Sequence, residues 1–195
     1  KEMKEMLKIT ASLVIIFVAA GLVMAVVFAK TAPIVKIKKE QEETAARKKM
    51  MPDADNIIEA GKWEPYGKKG KYFEGKKGEE TTGYLISTYG KGYSSYINIL
   101  VSVGKDMKVK EIGILGHGET PGLGDEIEQD YFKKRFEGKS LEQLEVVKVE
   151  GTDKIQAISG ATISSRAVTK GVKEAVKLLT EKYSAPKSAA GEVKK

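Results

Sequence analysis

The sequence predicts an α+β domain with a largely antiparallel sheet and flanking helices, carried behind one N-terminal membrane-spanning helix. Three features predict it. Ile9 to Ala29 is an uncharged apolar run of about 21 residues, enough to cross about 30 Å of hydrocarbon as a helix. Strand patterns then crowd together between residues 82 and 115. An amphipathic helix follows them, and runs of strands with helices at intervals favour α+β with antiparallel pairing.

The elements can be justified in order. Lys1, Lys4 and Lys8 precede the apolar run, and Lys30, Lys36, Lys38 and Lys39 follow it, so the positive-inside rule is nearly balanced. A cleaved signal peptide is the alternative, with Val27 and Ala29 suiting a small-residue cleavage site. Signal cores span only about 7–15 residues, however, which favours a retained single-span anchor. Past Pro33, the Lys, Glu, Gln and Ala content of Ile34 to Met51 suits a solvated helix, ended by Pro52, Asp53 and Asp55. Gly61 to Gly78 reads as loops around a short strand, Tyr72 to Glu74. Thr82 to Thr88, Ile97 to Val103 and Val109 to Leu115 read as strands, the last two joined by a hairpin at Gly104, Lys105 and Asp106. Glu126 to Phe136 suits a short helix with Ile127 and Tyr131 on one face. Val146 to Val149 and Lys154 to Ile158 read as short strands. In Ser164 to Tyr183, Val168, Val172, Ala175, Val176 and Leu179 recur at helical spacing. The resulting organisation is an anchor (1–30), a juxtamembrane helix and connector (31–60), a globular domain (61–183) and a polar tail (184–195).

Composition removes several function classes. The chain of 195 residues has no cysteine, which excludes disulfides, thiolate zinc sites, iron–sulfur ligation and a cysteine nucleophile. One histidine excludes a multi-histidine metal site within the chain. The net charge of +7 comes from lysines mixed with glutamates. No basic run carries interleaved aromatics, so nucleic acid is not expected as a partner.

Two loops carry the candidate chemistry. GHGETPGLG, from Gly116 to Gly124, has too many glycines for a helix or a plain strand and permits close backbone approach to a ligand. It holds His117, Glu119, Thr120, Pro121, Gly122, Leu123 and Gly124. A structural turn with an exposed histidine is the alternative reading. SGATISS, from Ser159 to Ser165, lies between a strand and a helix. Its small residues leave the backbone accessible, the hydroxyls of Ser159, Thr162, Ser164 and Ser165 can point outward around Gly160 and Ala161, and a helix beginning here offers an N-terminus that favours a phosphate. On the spacing alone, an ordinary N-cap by Thr162 or Ser164 is the favoured reading, since capping is so frequent.

Together, GHGETPGLG and SGATISSRAV resemble the FMN-binding domain of the G subunit of the Rnf electron-transfer complex, a domain type shared with the C subunit of sodium-pumping NADH:quinone oxidoreductase. The stretch Gly90 to Tyr93 (GKGY) is a further match, and the resemblance extends to the N-terminal span. It implies FMN attached through its phosphate to Thr162, within Ser159–Gly160–Ala161–Thr162. It also implies that the loop His117, Glu119, Thr120, Pro121, Gly122, Leu123 and Gly124 lies near the flavin. One position departs from the pattern: Gln156 stands where related attachment sites carry an Asp.

The resemblance further implies a non-catalytic electron-carrier subunit of an ion-translocating ferredoxin:NAD oxidoreductase. Its partners would be membrane and iron–sulfur subunits, membrane lipid and, for maturation, a flavin transferase. The location implied is the bacterial cytoplasmic membrane, single-pass, with the flavin domain on the outer face. The C subunit of the sodium-pumping quinone reductase is the related alternative, disfavoured by the short stretch between span and flavin domain. A membrane-tethered phosphate-binding or sensory module is the alternative from a different class.

Overall fold

The computed structural model describes residues 2–148 and 151–183. It comprises two units, Lys1–Thr44 and Ala45–Lys195. The predicted tail from Ser184 onward, and Val149 in the predicted strand Val146 to Val149, lie outside the described residues.

In the second unit, five strands pair antiparallel in chain order: β1 (Asn56–Trp63), β2 (Gly70–Lys77), β3 (Glu80–Lys91), β4 (Tyr96–Val103) and β5 (Val109–Gly116). Both faces of the sheet are covered, which explains why the central strands read as nearly continuous apolar runs. Alternate side chains of β3 and β4 divide between the faces. Tyr84, Ile86, Ile97, Ile99, Val101 and Val103 join the main core. Leu85 and Leu100, with Phe73 of β2, face a second cluster.

The main core is completed by α3 (Thr162–Tyr183). Val168, Val172, Ala175, Val176 and Leu179 are fully buried, the five positions that the helical spacing predicts. Each Val or Leu burial contributes roughly 1.5–3 kcal/mol and Ala175 less, so packing rather than intrinsic propensity holds this helix. The helix runs close over β3. A Cβ on Gly90 would fall 2.2 Å from the Ala167 carbonyl oxygen. Thr88 Oγ1 donates to the Gly171 carbonyl at 3.3 Å.

The second cluster is closed by the end of α1 (Glu2–Met50) together with Met51. Met50 and Met51 are buried, with Ala46, Ala54, Ile57 and Leu115 packed around them. Ser102 Oγ, buried in β4, donates to the Met50 carbonyl at 3.3 Å. Within the first unit α1 is all exposed apolar surface along the predicted span, with Phe17 at 73% and Phe28 at 72%. Its most apolar stretch has a mean hydropathy of 2.8, and the helix is long and apolar enough to cross a membrane.

The structure departs from the sequence reading in three places. Helix α1 runs on through Pro33, so the predicted span and the predicted juxtamembrane helix form one element; just ahead of Pro33 Thr31 Oγ1 donates to the Val27 carbonyl at 2.9 Å. Strand β1 forms where the pattern predicted connector, because an edge strand needs few apolar positions, and most of β1 is exposed. The predicted helix from Glu126 to Phe136 is three short pieces: a 3-10 turn (Gly124–Glu128), α2 (Asp130–Lys133) and a second 3-10 turn (Lys134–Phe136). This broken path buries Ile127, Phe132 and Phe136 and leaves Tyr131 47% exposed. Beside it β6 (Val146–Val147) and β7 (Ile155–Gln156) form a short parallel pair.

Candidate functional site

The unbroken β3–β4 register ends at Lys91 opposite Tyr96 and sets the turn Gly92–Ser95 at one end of the sheet. Strand β5 delivers the GHGETPGLG loop beside Asn98 of β4, through the pairing of Asn98 with Gly116. β7 leads into Ser159 and the first turn of α3. Three separate segments therefore meet at this end.

Glu119 joins them. It is only 4% exposed. Oε2 accepts the Tyr93 N–H at 2.9 Å and the Ser164 hydroxyl at 2.5 Å. Oε1 accepts the Ser94 and Ser95 N–H groups at 3.0 and 3.1 Å. Burial alone would raise this carboxyl. The Ser164 hydroxyl and the three backbone donors outweigh it and hold Glu119 below the usual carboxylate range. Gly124 makes the approach possible, since a Cβ there would lie 2.7 Å from Glu119 Cβ and 3.1 Å from Ser164 Oγ. The loop folds back on itself around the Thr120 carbonyl, which accepts the Leu123 and Gly124 N–H groups at 3.2 and 2.9 Å.

His117 belongs to the loop's scaffold. Nδ1 accepts the Glu119 N–H at 3.1 Å and Nε2 faces Glu128 at 2.9 Å. It lines neither of the cavities described next, and neither does Pro121.

At the start of α3 nearly every hydroxyl has a partner. Ser164 holds Glu119. Ser165 accepts the Ile158 N–H at 3.0 Å and donates to the Ala161 carbonyl at 2.9 Å. Thr169 donates to the Ser165 carbonyl. Thr162 differs: among the described residues its hydroxyl makes no hydrogen bond, so it caps nothing. Gly160, at φ 81°, turns the chain into the helix and packs under Leu123.

Two cavities share Gly160 and Thr162. One, of about 450 Å³, runs between Tyr93, Leu123 and Ile163, with Glu119, Thr120, Gly124, Ala161 and Ser164 in its wall. Tyr93, Leu123 and Ile163 are half or more exposed, which makes this an open apolar slot. The other, of about 710 Å³, is lined by Gly122, Ser159, Tyr131, Glu126, Arg135, Lys148 and Gln156. Arg135 is fixed by a 2.6 Å bond from Nη1 to the Gln156 carbonyl and lies 5.3 Å from the Tyr131 ring centre. Ten of the twelve predicted site residues, Thr162 among them, thus line these two cavities. Sequence reasoning missed Ile163, Tyr131, Arg135 and Lys148. No local pattern marks the last three, which reach the site only through the folding of residues 124–158.

A hydroxyl unengaged among the described residues thus stands at a helix N-terminus between an apolar slot and a cationic cavity, and the domain is of the FMN-binding class, whose family model matches residues 92–177. The G subunit of the proton-translocating ferredoxin:NAD(+) oxidoreductase complex of Clostridium ljungdahlii is 38% identical over 181 residues, covering 92% of this chain and 95% of that one. The G subunit of the Na(+)-translocating ferredoxin:NAD(+) oxidoreductase complex of Acetobacterium woodii is 30% identical over 191 residues, covering 90% and 92%. Among solved structures, the C subunit of the Na(+)-translocating NADH-quinone reductase of Parabacteroides distasonis aligns with a TM-score of 0.51 at 26% identity, over 60% of this chain and 64% of that chain. NqrC of Shewanella oneidensis aligns with the same TM-score at 24% identity, over 60% and 62%, and shows the fold alone. The chain therefore spans just under two thirds of those two solved proteins. It belongs to the family of G subunits of ion-translocating ferredoxin:NAD(+) oxidoreductase complexes.

The residues present suit FMN. The slot offers apolar walls for a ring, the neighbouring cavity offers cations for a phosphate, and the Thr162 hydroxyl lines both.

Proposed function

We propose that this chain is the electron-carrying subunit of a membrane-bound, ion-translocating ferredoxin:NAD oxidoreductase, and that it holds FMN in phosphoester linkage to Thr162. The observation that carries the assignment is the Thr162 hydroxyl. It is unengaged among the described residues and lines both cavities, while Ser164 and Ser165 beside it are committed to structure. When bound, FMN supplies one- and two-electron transfer.

The chain's own residues bind and orient. Leu123, Ile163 and Tyr93 would offer the ring apolar contact in the open slot. Glu119 fixes the loop, the turn and the helix relative to one another. His117 is engaged at both nitrogens, so it is not a free base for independent turnover. This favours a relay over a self-contained enzyme. The tether keeps the cofactor in an open slot that would otherwise lose it to solvent.

In the same reading α1 is a single-pass anchor in the cytoplasmic membrane, with the flavin domain on the outer face. Membrane and iron–sulfur subunits are the electron partners. A separate flavin transferase performs the attachment. Similarity across 95% of a G subunit's length favours this over the C subunit of the quinone reductase, where the likeness is one of fold at 24–26% identity.

The test is flavin fluorescence in a denaturing gel, with intact mass, on chain produced beside the transferase. A fluorescent band heavier by FMN less one water, abolished in Thr162→Ala, is the expected result. A dark band of unmodified mass refutes the linkage and favours a tethered phosphate-binding module.

A further inference from the structure

We propose that the cavity holding Arg135 and Lys148 is the phosphate seat of this site, which leaves the apolar slot to the isoalloxazine ring. The inference rests on the reading that Thr162 carries FMN, and adds which side of Thr162 takes which part of the cofactor.

Charge separates the two cavities. Among the described residues, Arg135 and Lys148 are the only cations lining either one, and both line the same side. The slot instead carries the Glu119 carboxylate in its wall, held ionised by four donors. A phosphodiester anion is repelled from that wall and attracted to the other. Among the described residues Glu126 is the carboxylate lining the cationic side, and it accepts the Tyr131 hydroxyl at 2.9 Å, which spends part of its acceptor capacity. Shape and polarity agree. The slot is bounded by Tyr93, Leu123 and Ile163, whereas the cationic cavity adds Ser159, whose hydroxyl can hydrogen-bond a ribityl chain or phosphate oxygens.

Arg135 is the pre-set member of the pair. Its guanidinium donates to the Gln156 carbonyl from Nη1 and lies beside the Tyr131 ring, so little side-chain entropy remains to be lost on meeting an anion. Lys148 is exposed and has no ion pair among the described residues. A cation without a partner among the described residues, in a cavity that the Thr162 hydroxyl also lines, is placed to receive negative charge.

The step served is formation of the ester. FMN is a phosphomonoester without a good leaving group, so the donor must be a flavin nucleotide with a phosphoanhydride, which is FAD. The Thr162 oxygen forms a bond to the flavin-side phosphorus, the anhydride P–O bond breaks, AMP departs and the hydroxyl proton passes to solvent. No electrons change hands. Arg135 and Lys148 balance the charge on the non-bridging oxygens during and after this transfer.

The test uses the full chain in detergent, isolated unmodified from a host without the transferase. Purified transferase and FAD are added, and intact mass follows attachment. Lys148→Gln, an exposed position that leaves the fold intact, is expected to slow attachment about threefold. Arg135→Gln with Lys148→Gln is expected to slow it about tenfold or more, and Lys148→Arg to restore it. On the loaded proteins the phosphorus-31 resonance of the phosphodiester is expected to move in both Gln variants, which a general effect on transferase docking would not produce. Unchanged rates, or slowed attachment with an unmoved resonance, overturn the phosphate seat while attachment at Thr162 stands. Wild-type chain that accepts no flavin at all defeats the Thr162 reading and this one with it.

Discussion

Replacing Glu119 by Gln removes a charge while keeping the shape, and its cost can be worked from the four donors. In the native site Oε1 receives two N–H groups, and Oε2 receives one N–H and one hydroxyl. An amide can present its oxygen to Ser94 and Ser95 only by pointing NH₂ at the Tyr93 N–H. The Ser164 hydroxyl can rotate to accept, but the Tyr93 donor is then left without a partner in a buried place. One stranded donor plus the loss of charge assistance on the remaining bonds costs about 3 kcal/mol. For a protein of this size that is a fall in Tm of about 6–12 °C. The carboxyl is held below its ordinary value in the fold, so its contribution is present above the unfolded-state pKa and is lost as pH falls through the folded one. The gap between wild type and Glu119→Gln should stay constant from neutral pH down to about 4.5 and close below it. Thermal melts of the full chain in detergent, from neutral pH into the acid range, check this. A variant melting within about 1 °C of wild type at neutral pH, or a gap that ignores acid, refutes the account of Glu119 as an ionised clasp.

Thr162→Ala should abolish covalent flavin yet change stability by no more than about 0.5 kcal/mol, because the native hydroxyl is unbonded; thermal melts of unmodified wild type and variant decide it. Gly124→Ala brings a methyl within 2.7 Å of Glu119 Cβ; it should destabilise by about 1–3 kcal/mol and lower flavin loading, read by melt and intact mass. Gly90→Ala meets the Ala167 carbonyl at 2.2 Å, which is backbone and cannot swing aside; a larger loss than at Gly124 is expected, with chemical denaturation as the measure. Leu123→Ala, at a half-exposed position, should leave the melt within about 0.5 kcal/mol of wild type while changing the absorption and iodide quenching of the attached flavin.

Much of this architecture was legible because buried faces impose a period on the sequence. Val168, Val172, Ala175, Val176 and Leu179 repeat as a helix with one apolar side must, and the structure buries all five. β3 and β4 were legible for the same reason. β1 was not, since an edge strand with a bulge between Glu59 and Gly61 has little to bury and so leaves little pattern. The segment 124–136 alternates short 3-10 and α turns, whose differing periods moved burial from Tyr131 to Phe132 and Phe136. At the site, glycine-rich loops announced themselves by composition. The role of Glu119 was only half legible: a carboxylate in a loop gives no sign that its donors will come from residues 93–95 and 164. Arg135 and Lys148 were invisible for a similar reason, being ordinary basic residues until the fold brings them beside Thr162.

The two methionines at the close of α1 have a practical bearing on any water-soluble version of this protein. Met50 and Met51 plug the side of the sheet away from α3, against Phe73, Leu85 and Leu100. A trimmed fragment starting at Pro52 would look reasonable by composition, yet it would strip that plug and leave a greasy sheet face open to self-association. A fragment starting at Ala45 keeps the closing turn of the helix and Ala46 with it. The natural cutting point for the globular unit therefore lies inside a helix, one turn upstream of where that helix visibly stops.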